Sequence, residues 1–166
     1  INSSTVTAIV TACIRRQRVI VPVHHEQRGH PIAVPGSLRR QILSASGIPC
    51  PRFWRFAIGG DPAAMARRVK YPGVVKPLSL SASRGVIRAD NPTQFAAAYQ
   101  RLLAILQLPD VAVSRRRSAQ EILVERFIPG SEVALEGLLT HGQLRVLALF
   151  DKPDPLDGPF FEETIY

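Results

Sequence analysis

The chain has 166 residues, 46% of them apolar and 20% charged, with 21 Lys and Arg against 13 Asp and Glu for a formal net charge of +8. These values exclude wholesale disorder and fit one domain, or at most two, around a sizeable core. Eighteen of the basic residues are arginine, and outside Arg15, Arg16, Arg18 and Arg115-Arg116-Arg117 they are scattered without an aromatic ladder, which argues against a nucleic-acid surface and leaves the positive balance suited to an anionic nucleotide.

Cys13 and Cys50 lie in unrelated contexts that suggest neither a disulfide framework nor a zinc spacing. No run of 18 apolar residues and no signal peptide is present, so the expectation is a soluble protein of the reducing cytoplasm with no membrane partner. The chain opens on Ile1 and stops at Tyr166 within an apolar-polar alternation, and both ends read as cut from something longer.

In chain order, Ser3-Ser4-Thr5 is expected to cap a helix carrying Val6, Ile9, Val10, Cys13 and Ile14 at helical spacing, and a strand follows over 18–23. His24, His25 and His30 surround Glu26 in a Gly/Pro-punctuated loop, at a spacing that matches no ligand pattern, so no metal site is assigned. A helix is expected over 37–46, with Leu38, Ile42 and Leu43 on one face and Gly47 as its stop. Next come a strand over 51–57, a helix opened by Asp61-Pro62, a strand over 71–76, a short strand over 85–88, and an amphipathic helix opened by Asn91-Pro92. Residues 107–119 read as a polar linker, 121–126 as an apolar strand, 132–139 and 144–150 as a hairpin turning at His141-Gly142, and 160–166 as a further strand. The pattern is α+β.

Two stretches carry chemistry. A strand ending in Lys76 runs into the small polar loop Leu78-Ser79-Leu80-Ser81-Ala82-Ser83-Arg84-Gly85. That layout holds a phosphate: the ammonium supplies a point charge, and a Ser/Gly loop lets backbone N–H groups and hydroxyls approach anionic oxygens. A solvent-facing lysine after a hairpin strand fits the same residues. Further on, Glu121-Ile122-Leu123-Val124-Glu125-Arg126-Phe127-Ile128 leads through Pro129-Gly130-Ser131 to Glu132, with Glu125 and Glu132 on either side of the turn.

Five groups in order, namely Gly47-Ile48-Pro49, Val74-Val75-Lys76-Pro77, Arg84-Gly85-Val86, Val124-Glu125-Arg126-Phe127-Ile128 with Gly130 and Glu132, and Gly142 with Asp151-Lys152, resemble the ATP-grasp superfamily of ligases. The resemblance implies an incomplete ATP-grasp-like fold over 47–166, with a lid subdomain over about 51–106 and the start of the large grasp sheet over 120–166, after a divergent or foreign N-terminal α/β segment over 1–46. It implies that Lys76 contacts the α/β-phosphates of ATP, that Ser79, Ser81, Ser83, Arg84 and Gly85 cover them, that Glu125, Arg126, Phe127 and Ile128 form the hinge against adenine, and that Glu132 accepts the ribose hydroxyls.

The magnesium ligands of the family are expected beyond residue 166, with Glu162 and Glu163 as lesser candidates. Many members open the helix before the Gly-Ile-Pro turn with a phosphate-binding lysine; this chain has Gly36 there. The implied function is the ATP-binding portion of a ligase that joins a small-molecule carboxylate to an amine or thiol through an acyl-phosphate, a portion not expected to turn over alone. The alternative is a structural or interaction remnant without nucleotide binding. Residues 18–35 are also similar to a segment of the molybdenum-cofactor nucleotidyltransferases, without the nucleotide loop that a transferase needs.

Overall fold

The computed structural model describes residues 8–15, 18–20, 36–47, 49–78, 80, 83–112, 120–140, 143–152 and 158–161. The chain divides into two compact units, one built from Val34–Ile128 with Leu156–Ile165, the other from Ile1–Ala33 with Pro129–Pro155.

The first unit begins with helix α1 (Gly36–Ala45) and continues through β3 (Phe53–Ala57), α2 (Pro62–Arg68), β4 (Gly73–Pro77), β5 (Ile87–Ala89), α3 (Pro92–Leu106), the short α4 (Pro109–Ala112) and β6 (Glu121–Arg126). Its four strands form one antiparallel sheet in the order β3-β6-β4-β5. Local chemistry fixes the helix starts. Asp61 accepts from the N–H groups of Ala63 and Ala64, both at 3.0 Å, and Asn91 accepts from Gln94 N–H at 2.9 Å, each cap being followed by a proline whose missing N–H costs nothing at the first helical position.

Alternation along the strands divides the sheet into two faces. Phe56, Val75, Ile87, Ala89, Ile122 and Val124 point into the core shared with Met65 and Ala66 of α2 and with Phe95, Ala98, Tyr99 and Leu102 of α3. Phe95 and Tyr99 are sealed from solvent; the Phe95 ring meets Phe56 edge-on at 6.5 Å, and the Tyr99 hydroxyl accepts the Gly59 N–H at 2.9 Å. The alternate residues, even-numbered Val74 and Lys76 on β4 and odd-numbered Leu123 and Glu125 on β6, lie on the opposite face. That face carries the charged groups described below.

The second unit is a four-stranded antiparallel sheet in the order β2-β1-β7-β8, made of β1 (Ala8–Arg15), β2 (Arg18–Ile20), β7 (Glu132–Thr140) and β8 (Gln143–Lys152). The register shifts between Glu136 and Gly137, where a side chain would bring its Cβ within 2.8 Å of the Arg145 carbonyl oxygen, so glycine is the residue that lets β8 approach. Leu144, Val146, Leu147 and Leu149 of β8 are exposed.

Several elements depart from the sequence-based expectations. The N-terminal segment is strand β1, not a helix. Ile9, Val10, Thr11 and Ile14 are β-branched, and pairing with β7 from Ala8↔Leu139 to Ile14↔Val133 supplies the long-range ladder that overrides a coincidental helical spacing. In α1 the face carrying Leu38 and Ile42 is exposed, at 45% and 52%, and among its described side chains the buried one is Arg40. The linker contains α4, anchored by buried Val111. Of the strand expected over 160–166, Phe160 forms an isolated bridge to Ile87, and 162–166, with Glu162 and Glu163, lie outside the described residues. His24, His25 and His30 also lie outside them.

Candidate functional site

Glu125 is the centre of the site. It belongs to β6, the inner strand between β3 and β4, and is 3% exposed. Val74 is its direct neighbour on β4, so Lys76, two residues along the same face, meets it diagonally, and Lys76 Nζ donates to Oε2 at 2.5 Å. The other oxygen, Oε1, accepts from Nε of Arg40, which comes from α1 85 residues earlier in the chain. Burial alone would raise the Glu125 carboxyl, yet the charges of Lys76 and Arg40 and their hydrogen bonds outweigh it and hold the group down at about 2, against an ordinary 4.5. One carboxylate therefore carries two cations, both reaching it on the sheet face away from α2 and α3.

This fixes a pH dependence. The folded value lies below the unfolded one, so the stabilisation is fully present above about pH 4.5 and is lost as pH falls through about 2. Urea unfolding followed from pH 6 to pH 2 is expected to show the wild-type midpoint falling through that window, with a flatter slope in Glu125→Gln, which has no proton to take up there. Parallel slopes would place the acid sensitivity in other carboxylates.

The other expected contacts are distributed as follows. In the hinge, the Arg126 N–H donates to the Arg52 carbonyl and the Phe127 N–H to the Pro72 carbonyl, both at 2.9 Å. Both of these N–H groups are therefore engaged within the protein. Arg126 is exposed and Ile128 half-buried. The Phe127 ring is buried, with the Arg88 guanidinium 4.2 Å from its centroid and the Phe161 ring centroid at 6.4 Å.

Ser83, Arg84 and Gly85 form a tight turn closed by Val86 N–H to Ser83 C=O at 3.0 Å. Ser83 and Gly85 both have positive φ, 55° and 77°; at Gly85 a Cβ would also lie 3.0 Å from a Leu102 methyl, so backbone and packing both favour glycine there. Arg84 ties the turn to α4 through an exposed ion pair with Asp110 at 2.6 Å, and that hydrogen bond holds the Asp110 carboxyl below its usual range. Ser79 and Ser81 lie outside the described residues. Glu132 opens β7 in the other unit, paired with Lys152 in register.

Arg40 is the residue that sequence reasoning missed. Its partner is remote and its own helix showed an apolar stripe on a different side, so only the order of Arg39-Arg40 within an otherwise amphipathic segment hinted at a charged inner face. Among the described residues, no group of three or more His, Cys, Asp or Glu side chains gathers to hold a metal. Among the described residues, no helix is long and apolar enough to cross a membrane. The cation pair does fit a nucleotide: Lys76 keeps 30% of its side chain exposed at the strand end, and Nη1 of Arg40 is buried with no partner among the described residues.

A family model described as ATP-grasp domain matches residues 69–166, more than half of the chain. Among curated proteins, the chain is 30% identical over 98 residues to the uncharacterized protein y4rH of Sinorhizobium fredii, covering 59% of this chain and 19% of the relative. It is 31% identical over 97 residues to a putative D-alanine–D-lactate ligase of Streptomyces coelicolor, covering 58% of this chain and 24% of that one. The chain thus spans about a fifth to a quarter of the length of these relatives. Among solved structures, the D-alanine-D-alanine ligase from Coxiella burnetii is similar at a TM-score of 0.46 and 13% identity, over 72% of this chain and 48% of that one.

Proposed function

The chain belongs to the ATP-grasp family, and on that premise we propose that it is the ATP-binding portion of a ligase that joins a small-molecule carboxylate to an amine or thiol through an acyl-phosphate. The observation that carries this reading is the convergence of Lys76 and Arg40 on one buried carboxylate, at the end of the strand that runs into the Ser83–Gly85 turn. Two cations against one carboxylate leave a surplus positive charge for the phosphates. Glu125, held ionised, can only accept hydrogen bonds, which suits an exocyclic amine on the base. Arg126, Phe127 and Ile128 flank that base, Ser81, Ser83, Arg84 and Gly85 cover the phosphates, and Glu132 accepts the ribose diol. The sheet of β3, β6, β4 and β5 with α2 and α3 is the lid-type subdomain, and β7 and β8 open the larger grasp sheet.

ATP in this reading supplies the γ-phosphoryl group to a carboxylate oxygen; ADP leaves, and the amine then bonds the carbonyl carbon and expels inorganic phosphate. This chain's residues hold and orient the nucleotide. Magnesium would accompany the triphosphate. A cytoplasmic setting, where ATP is abundant, fits two cysteines that lie in unrelated sequence contexts.

The test is calorimetric titration with ATP and with adenosine. Lys76→Ala is expected to weaken ATP about ten- to a hundredfold, since a charge-assisted contact contributes roughly 1.5–3 kcal/mol, and to leave adenosine unchanged. Equal weakening of both ligands would place Lys76 away from the phosphates. A wild-type chain that binds neither favours the structural-remnant reading.

A further inference from the structure

We propose that Arg40 is a second phosphate contact, its guanidinium holding Glu125 through Nε and a nucleotide phosphate oxygen through Nη1. The inference rests on the nucleotide reading of the same cluster. It starts from an inversion of ordinary burial: α1 exposes Leu38 and Ile42 and buries an arginine at 8% exposure. A guanidinium removed from water needs acceptors at its corners, because buried unpaired donors are disfavoured and charged ones most of all. One corner is satisfied. Nε donates to Glu125 Oε1, while Nη1 is buried with no partner among the described residues.

The planar geometry makes simultaneous binding possible. Nε and Nη1 are separate corners of a rigid fork, so engaging Glu125 with the first leaves the second able to donate to another oxygen. Charge then chooses the ligand. Glu125 is already shared with Lys76, so the three groups sum to one surplus positive charge. A ring nitrogen of a base would satisfy the donor without offsetting that charge; a phosphate oxygen does both. Lys76 and Arg40 share a single carboxylate, so one polyphosphate chain can reach both.

The experiment uses the full 166-residue chain as wild type, Arg40→Lys and Arg40→Gln, titrated by calorimetry with ATP, adenosine and inorganic triphosphate, with thermal unfolding followed by Trp54 fluorescence to confirm the fold. Arg40→Lys retains a cation for Glu125 but has a single nitrogen, so it separates pairing with Glu125 from contact with the ligand. Both variants are expected to bind ATP and triphosphate about tenfold or more weakly than wild type, with adenosine unchanged. Triphosphate binding equal in all three proteins, or ATP and adenosine weakened alike, would overturn the proposal and leave Arg40 as a counter-ion for Glu125. If ATP binds and does not depend on Arg40, the nucleotide reading survives without this contact. If triphosphate binding depends on Arg40 and adenosine binds to none of the proteins, the phosphate contact stands and the nucleotide reading falls. If folded wild type binds neither ATP nor triphosphate, both fall.

Discussion

Glu125→Ala is expected to lower the unfolding free energy by about 3–5 kcal/mol, because removing one partner of a buried ion pair strands the charge that remains. Arg40 is the group stranded: its side chain is 9% exposed and loses the acceptor of its Nε, whereas Lys76 at 30% can swing towards water. The measurement is urea unfolding at pH 7 monitored by Trp54, which packs against the core of the same unit. A companion variant sharpens it. Replacing Glu125, Arg40 and Lys76 together by apolar residues of similar length removes charge and counter-charge at once and is expected to recover most of the loss. A loss below about 1 kcal/mol for Glu125→Ala alone is the size seen for solvent-exposed pairs, and would mean that water reaches this one.

Phe95→Ala is expected to cost a similar amount, about 3–5 kcal/mol, through a different cause. The ring is fully buried on α3 and sits between that helix and the sheet, edge-on to Phe56. Truncation leaves a cavity that Tyr99 and Leu102, both also sealed, can fill only by moving α3. The urea midpoint is expected to fall with the slope unchanged, and nucleotide titration at low temperature is expected to remain near wild type, because Phe95 lies on the sheet face opposite Lys76 and Glu125. Loss of binding in a chain that still unfolds cooperatively would show that the two faces are coupled.

The contrast between these residues also explains what could be read from the chain beforehand. Helices α2 and α3 were legible because Asp61-Pro62 and Asn91-Pro92 announce their starts within a few residues, and α3 carries its apolar face at helical spacing. Strands β4 and β6 were legible as short apolar runs, and Lys76 and Glu125 stood out at their ends. Arg40 was not legible because the ion pair that defines it is made across 85 residues, and no local pattern encodes a partner so remote. Strand β1 was misread for the same reason. A short apolar segment satisfies helical and extended spacing alike, and what decides between them is β7, over a hundred residues away.

That separation also has a meaning in time. Strand β1 is an inner strand of its sheet, and one of its two edges has no partner until Val133 to Leu139 have been synthesised. At about 5–20 residues per second, the ribosome takes roughly 6–25 s to supply them. For that interval β1 and β2 leave the exit tunnel as a hairpin with an open, β-branched edge, which is the kind of surface that recruits wrong partners. The sheet of β3, β6, β4 and β5 has all its strands once residue 126 is made. Synthesis arrested between there and residue 133 therefore yields a chain with one sheet's strands complete and the other sheet still waiting, a nascent state in which a holdase has most to protect.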